Sequence, residues 1–505
     1  MSDDNAEPDQ APVIAHFAQG AERIDTQGAI VFLKGDEAVK IRRAIKLPFL
    51  DYSTLDKRRA AAEAEIAINR PYAPHIYKDA APIRRSGESF GFEGDGEIVE
   101  WATRMRRFDH NATLDKLAPE RLSAELMRKL ARAIHAMHAH AEPRAAEPAI
   151  AAMGEWIAQN GQAFASRPDL FPADKAAQLE AASRDALARA APLLRERGAR
   201  GWIRRCHGDL HLGNIALIDN TPTPFDAIEF DDRIATGDVL YDLAFAAMDL
   251  WERDLRRQAN LLVNAWLALG PAEHCDALAA LPLFLSLRAA IRAKVEANIA
   301  GHLHGASAAR ETKSAQRYFA FALAFLEPAP ARLVAIGGLS GSGKSALSLA
   351  LAPEIGRPPG AVWLRSDVER KAMFGVSEQT RLPAPAYSAA ASQQVYARLI
   401  DKARRALNAG AACIIDAAHA HAAERQAAAA LAVETGVPFV GLWLEAPLET
   451  RVARIAARRG DASDADAEVA RRQRAEPLGE PGWRAIDAGG ALEAARVASQ
   501  GHAGI

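Results

Sequence analysis

The sequence predicts two unlike halves: an α+β first half, and an α/β second half built as a doubly wound parallel sheet with helices on both faces. Three observations predict this. Beyond Leu333, strand-like apolar runs alternate with helical stretches, at Leu333–Gly338, Ala361–Asp367, Ala412–Asp416 and Phe439–Glu445, which is the pattern of β-α repetition. Before it, a hairpin signal around Lys34-Gly35-Asp36 and long helical runs show no such alternation. Between them lies Glu327-Pro328-Ala329-Pro330-Ala331, the strongest linker signal in the chain.

The expected order follows from these breaks. Residues 1–12 are polar, contain Pro8 and Pro12, and read as a flexible N-terminus. A first domain over 13–326 opens with strands across Ala29–Ile41, a charged helix at Asp56–Asn69, a strand at Glu97–Phe108 and a helix at Arg121–Ala139. The proline-containing stretch Ala141–Pro172 reads as an insertion of short helical pieces. Ile203–Asp231 supplies strand, loop and hairpin, and Val239 opens a mostly helical run to about Leu326. After the linker at 327–331, the second domain fills 332–505. At 505 residues, and about 150 residues per domain, roughly three compact lobes are expected.

Composition narrows the class. Hydrophobic residues at 49% and charged residues at 25% are ordinary globular values. A net charge of −2 offers no general attraction to nucleic acid or an anionic membrane. Cys206, Cys275 and Cys413 are too dispersed for a disulfide framework or zinc site, which predicts a reducing, cytoplasmic setting. The acidic start lacks the basic-then-apolar order of a signal peptide, and no apolar run is long enough to span a bilayer.

The second half carries Gly338-Leu339-Ser340-Gly341-Ser342-Gly343-Lys344-Ser345 between a strand and a helix. This is a P-loop: Gly338, Gly341 and Gly343 let the backbone curl so that the N–H groups of residues such as Ser340 and Ser342 point at phosphate. Lys344 is expected on the β- and γ-phosphates of ATP, and the Ser345 hydroxyl on Mg²⁺. Asp367 and Arg370, in Ser366-Asp367-Val368-Glu369-Arg370, resemble the Asp-x-x-Arg of polynucleotide-kinase-like and gluconate-kinase-like P-loop kinases. That resemblance implies an acceptor-side role for Asp367. Asp416 resembles the Walker-B position of the same group, where an Asp organises Mg²⁺. Arg451, Arg454, Arg458 and Arg459 lead into the polar loop Gly460–Asp464 and suit a lid that adds positive charge over transferring phosphates.

The first half carries His207-Gly208-Asp209-Leu210-His211-Leu212-Gly213-Asn214, a carboxylate followed five residues later by an amide. Asp209 is suited to receive or orient a substrate hydroxyl proton, and Asn214 to hold Mg²⁺. This loop resembles that of the aminoglycoside-phosphotransferase and choline-kinase-like families, and Gly237-Asp238-Val239-Leu240-Tyr241-Asp242-Leu243-Ala244 resembles their next block. The resemblance implies a bilobal, protein-kinase-like fold for this half. The family's second metal carboxylate falls on Asp226 or Glu229, between which spacing does not decide. Lys40, in Ala38-Val39-Lys40-Ile41, resembles the strand lysine that contacts the α- and β-phosphates, with Glu65 as its helix partner; Lys46 and Glu63 are rivals.

Together the blocks resemble bacterial fusions of an aminoglycoside-phosphotransferase/choline-kinase-like domain with a P-loop ATP-binding domain, across nearly the whole chain. The implied function is a phosphotransferase with two ATP·Mg²⁺ sites acting on small-molecule hydroxyl acceptors. The alternative makes one half a regulatory or ligand-sensing module, with the P-loop half an ATPase switch or a kinase of nucleic-acid ends. The acceptors and the oligomeric state are not encoded in any motif.

Overall fold

The computed structural model describes residues 10–47, 50–458 and 460–503. Of the flexible N-terminus expected over residues 1–12, residues 1–9 lie outside the described residues, as does the lid arginine Arg459, while Ala11 and Pro12 belong to a helix instead, proline being tolerated in a first turn. The chain forms two compact units, one of residues 1–152 with 194–242, the other of 153–193 with 243–505.

The first unit opens with helix α1 (Ala11–Phe17) and strands β1 (Glu22–Asp25), β2 (Ala29–Lys34) and β3 (Glu37–Arg42). Gly35, at φ +59°, makes the β2–β3 turn in the left-handed region. The short strands β4 (Lys46–Leu47) and β5 (Leu50–Asp51) precede helix α2 (Leu55–Asn69), whose start is capped by the Thr54 hydroxyl accepting from the Lys57 N–H. Strands β6 (Tyr77–Ser86), β7 (Ser89–Gly91) and β8 (Glu97–Arg106) complete an antiparallel sheet of order β1-β2-β3-β8-β6-β7. One face buries Val13, Ile30, Phe32, Val39, Ile41, Ile83, Val99 and Ala102. Helix α3 (Ala124–His140) follows.

Where short helical pieces were expected, helix α4 runs unbroken over Ala146–Ala165, since Pro148 falls in its first turn, where proline is tolerated. Helix α5 (Ala173–Ala199) leads to β9 (Ile203–Arg205), the hairpin β10 (Ile215–Ile218) and β11 (Thr221–Pro224), helix α6 (Asp232–Ala235), and β12 (Thr236–Asp238), which pairs with β9. Helix α7 (Val239–Glu252) begins there.

The second unit contains helices α8 (Arg256–Leu269), α9 (Leu281–Gly301) and α10 (Gly305–Ala324). The last two are joined by the Ser286 hydroxyl donating to the Ala322 carbonyl at 2.7 Å. After a stretch without helix or strand over 327–332 come β13 (Leu333–Gly337), α11 (Lys344–Leu351), β14 (Val362–Arg365), α12 (Ser366–Met373), α13 (Ala389–Asn408), β15 (Cys413–Asp416), α14 (Ala422–Thr435), β16 (Phe439–Glu445), α15 (Leu448–Ala457), α16 (Ala467–Arg472), β17 (Trp483–Asp487) and α17 (Leu492–Ala503). The five strands are parallel, in the order β14-β15-β13-β16-β17. Val334, Ile336, Ile414, Leu442 and Leu444 pack on α11 and α17 on one face, and Ala335 and Trp443 pack with Ala428 of α14 on the other. This is the doubly wound sheet the alternation predicts.

Strand β14 lies at the sheet edge, and helix α8 covers it. The Asn264 side-chain oxygen accepts from the Trp363 N–H at 2.7 Å, while the Asn260 and Asn264 amides donate to the Ala361 carbonyl at 3.0 and 3.1 Å. The edge is thereby satisfied by side chains instead of a further strand. Lys402 and Glu369, both buried, pair between α13 and α12, and Arg405 bonds Asp276 at 2.8 Å. Among the described residues no single helix is long and apolar enough to cross a membrane.

Candidate active sites

In the first unit, β3 and α2 bring the first cluster together. Lys40 sits opposite Thr103 of β8, and α2 turns Arg58, Ala62, Glu65 and Asn69 inward at spacings of four, three and four. The Lys40 ammonium donates to Glu65 at 2.9 Å and to Asp226 at 2.8 Å. The other Glu65 oxygen accepts from Arg42 at 2.7 Å and from the Thr103 hydroxyl at 2.8 Å. Burial alone would raise the Glu65 pKa, but Lys40 and Arg42 outweigh it and hold the carboxyl below its ordinary range. Burial opposes the charge of Lys40 as well; Asp226, Glu65 and Glu229 overcome this and push its pKa well above the ordinary amine value. The rivals do not meet here: Glu63 pairs with Arg59 on the exposed side of α2, and Lys46 is exposed.

Asp226 and Glu229 occupy different environments. The Glu229 side chain is buried, accepting from Arg42 at 2.9 Å and from the Tyr52 hydroxyl at 3.0 Å. Asp226 stands at φ +60°, its N–H donating to the Tyr77 hydroxyl at 2.9 Å, and its carboxylate is 45% exposed beside Lys40.

The His207–Asn214 loop is held from beneath. The N–H groups of His207 and Gly208 donate to Asp242 at the start of α7, and His138 of α3 contacts the same carboxylate at 3.0 Å. The buried His207 ring meets the Phe225 carbonyl at 2.9 Å, and burial, against the pull of Asp242 and Asp209, lowers its pKa. The Asn214 amide donates to the Asp209 backbone carbonyl at 2.9 Å and to its carboxylate at 3.0 Å. That leaves the Asn214 side-chain oxygen and the Asp226 carboxylate as hard oxygen donors, a set suited to Mg²⁺. Asp238, the first acid of the following block, is fully buried against Arg197 at 2.6 Å and is a structural residue.

In the second unit, strand register gathers the site. Ile336 and Arg365 both lie opposite Asp416, so β13, β14 and β15 end together, where ligands collect in open parallel sheets. The P-loop glycines Gly338, Gly341 and Gly343 stand at φ +137°, +85° and +102°. A side chain at Gly341 would also come within 2.4 Å of the Arg451 carbonyl. Lys344 curls back over the loop to donate to the Gly338 and Leu339 carbonyls at 2.7 and 3.3 Å. Its burial lowers its pKa, with Asp416 and Asp367 opposing. Asp367, in the first turn of α12, is pushed up by burial and pulled back by Arg365 and Lys344. Ser345 and Asp416 again supply hard oxygens suited to Mg²⁺, and the Trp363 indole N–H donates to Asp416 at 3.2 Å. The Ser340 N–H donates to the Gln473 side chain at 2.8 Å.

The arginines divide. Arg454 bonds the Ser342, Ala488 and Gly490 carbonyls at 3.3, 2.7 and 2.9 Å, and Arg451 bonds the Ser340 and Ala470 carbonyls. Both brace the loop backbone. Arg458 lies 3.9 Å from Asp461. Arg370 is buried, donating to the Ala386 carbonyl at 2.7 Å and to Ser392 at 3.3 Å, and it anchors α12 to the start of α13. Sequence reasoning missed Arg365, Lys371 and Asp464. Lys371 donates to Asp464 at 2.7 Å, and Asp464 also accepts from the Leu382 N–H at 2.9 Å and the Tyr387 hydroxyl at 2.5 Å. The lid loop is thus tied down by a carboxylate whose local sequence carries no motif.

Two family models match this chain, the phosphotransferase enzyme family over residues 46–280 and an AAA domain over residues 333–477. Uncharacterised proteins of Mycobacterium tuberculosis and Mycobacterium bovis are 27% identical over 454 residues, covering 88% of this chain and 88% of each relative. Among solved structures, a choline kinase from Cryptosporidium parvum is similar at 12% identity and TM-score 0.37, over 62% of this chain and 94% of its own. A sugar kinase from Janibacter is similar at 20% identity and TM-score 0.28, over 35% and 96%. With the loop of Asp209 in one half and the P-loop of Lys344 in the other, the chain joins a segment that matches the phosphotransferase enzyme family model to one that matches the AAA domain model.

Proposed function

We propose that the protein is an ATP-dependent phosphotransferase with two nucleotide sites, each passing the γ-phosphoryl group to a hydroxyl of a small molecule. The observation that carries this reading is the convergence of Lys40, Glu65 and Asp226, three distant points of the sequence, around one ammonium group. In the first site Lys40, fixed by Glu65, binds the α- and β-phosphates, and Asp209, braced by Asn214, takes the acceptor proton. Asn214 and Asp226 hold the cation, while Glu229 fixes Arg42. In the second site the loop N–H groups and Lys344 bind phosphate, and Ser345 and Asp416 hold the cation. Asp367 faces the acceptor, Arg458 adds charge from the lid, and Arg454 serves the nucleotide through the loop it braces. Bound Mg²⁺ supplies positive charge to the phosphate oxygens.

A first half without a defined metal carboxylate would favour the regulatory alternative; the engagement of Glu229 with Arg42 and Tyr52, which leaves Asp226 for the cation, weighs against it. Calorimetry with Mg²⁺ and a non-hydrolysable ATP analogue tests the proposal. Two sites are expected in the wild type, one in Lys344→Ala and one in Asp226→Asn. A single wild-type site that vanishes in Lys344→Ala would leave the first half as a ligand-sensing module. Asp209→Asn should keep both nucleotide sites and lower first-site transfer by about 10² to 10⁴-fold.

A further inference from the structure

Arg365 is a charged residue that the nucleotide-binding roles above do not use, and it lies at the centre of the second site. It is 8% exposed at the end of β14, with its guanidinium over the Trp363 ring at 4.9 Å. One terminal nitrogen donates to the Ser345 hydroxyl at 3.3 Å and to Asp461 at 2.7 Å. Its Nε lies 3.8 Å from Asp416 and has no hydrogen-bond partner among the described residues. The guanidinium therefore spans the hydroxyl and the carboxylate assigned to the cation, and it also meets an acid of the lid loop.

We propose that Arg365 is a built-in cation that guards the metal position of the P-loop, weakening the binding of a divalent cation there until a nucleotide arrives. The inference rests on the P-loop reading above. Arginine stays charged at every physiological pH. A divalent ion bound to Ser345 and Asp416 needs oxygen contacts of about 2 Å, which sets it within a few ångströms of the guanidinium. Without phosphate, a divalent ion would then join Arg365 and Lys344 among Asp416, Asp461 and Asp367, four positive charges against three carboxylates. The nucleotide brings the negative charge that resolves this, since its phosphoryl oxygens accept both the metal and the guanidinium fork. Arg365 thereby becomes a catalytic residue once phosphate is present, and Asp461 holds it ready beforehand. The strand register enforces the geometry, because Arg365 and Asp416 are direct neighbours on adjacent parallel strands.

Mn²⁺ binding to the full-length protein, followed by the electron paramagnetic resonance of free Mn²⁺, tests the proposal without reference to turnover. Nucleotide-free Arg365→Met should bind Mn²⁺ about tenfold tighter than wild type, or about one order of magnitude in the dissociation constant. The double variant Arg365→Met/Asp416→Asn should lose that gain, which assigns it to this site and not to Asp226. Asp461→Asn, altering a partly exposed group, should loosen the guanidinium and give a smaller gain; weaker Mn²⁺ binding there would overturn the proposal. Unchanged Mn²⁺ affinity in Arg365→Met, with Lys344-dependent binding of an ATP analogue intact, would also overturn it while leaving the P-loop reading standing. Loss of Lys344-dependent nucleotide binding in the wild type would remove both.

Discussion

The two lysines that face phosphate in the proposed mechanism are held in opposite ways. Lys40 is gripped by the carboxylates of Glu65 and Asp226, which keep it charged. Lys344 is gripped by two carbonyl oxygens of its own loop, and burial makes its charge unfavourable. The first ammonium is neutralised before a nucleotide arrives, so binding there exchanges one set of anions for another. Among the described residues the second has no direct anionic partner, and it gains one when phosphate comes. The same residue type thus contributes to folding in one site and to binding in the other.

Four measurements break or sharpen this contrast. The largest effect is expected from Lys40→Ala, which leaves Glu65 to Arg42 and Thr103 and leaves Asp226 to solvent. Losing the buried contact to Glu65 should cost about 2 to 3 kcal/mol of stability in denaturant unfolding. Lys344→Ala should instead weaken nucleotide binding at the P-loop by about 100-fold, with the unfolding midpoint unchanged or slightly higher, because a buried, disfavoured charge has gone. Equal stability losses in the two variants would dissolve the comparison. Glu65→Gln should fall between these extremes, at about 1 to 2 kcal/mol, because Lys40 keeps Asp226 and Arg42 keeps Glu229.

The smallest effect is a pH dependence. Lys344 loses its proton below the ordinary lysine value of 10.5, so nucleotide affinity at the second site should fall severalfold as pH climbs through that lowered pKa. Lys40 keeps its proton past the ordinary value, so the first site should hold steady over the same range. The stability term has the opposite sign. Between the lowered pKa and 10.5 the unfolded chain binds the extra proton at Lys344, so its contribution to stability rises with pH. A fluorescent ATP analogue titrated upward from neutral pH to the ordinary lysine value, with Lys344→Ala as reference, reads the binding term. Parallel curves for the two sites would contradict the contrast.

Much of this was legible in the sequence, for identifiable reasons. Both glycine-bearing loops were readable because phosphate binding requires a particular backbone, and β16 was bounded residue for residue by its apolar run. The hairpin over β2 and β3 fell where Gly35 placed the turn. Helix α2 was visible and the family resemblance singled out Glu65, but Arg58 and Asn69, the other buried polar residues of its inward face, are invisible to a search for apolar periodicity. The hairpin of β6 and β7 and the edge strand β17 went unread, the latter because its buried pattern rests on Trp483 and Ile486 alone. Asp226 and Glu229 were separable only once Arg42, from a distant strand, had claimed one of them.

The asparagine pair of α8 carries a consequence for how such a protein can arise and be dissected. The proline stretch at 327–331 invites a cut, yet the hydrogen bonds that finish strand β14 come from Asn260 and Asn264, upstream of it. A fragment starting at residue 332 would carry a naked strand edge, the template on which β-proteins self-associate. Helix α8 thus belongs with the downstream half: a recombination that moved that half into another gene without it would deliver a sheet whose edge carbonyl and N–H had lost their partners.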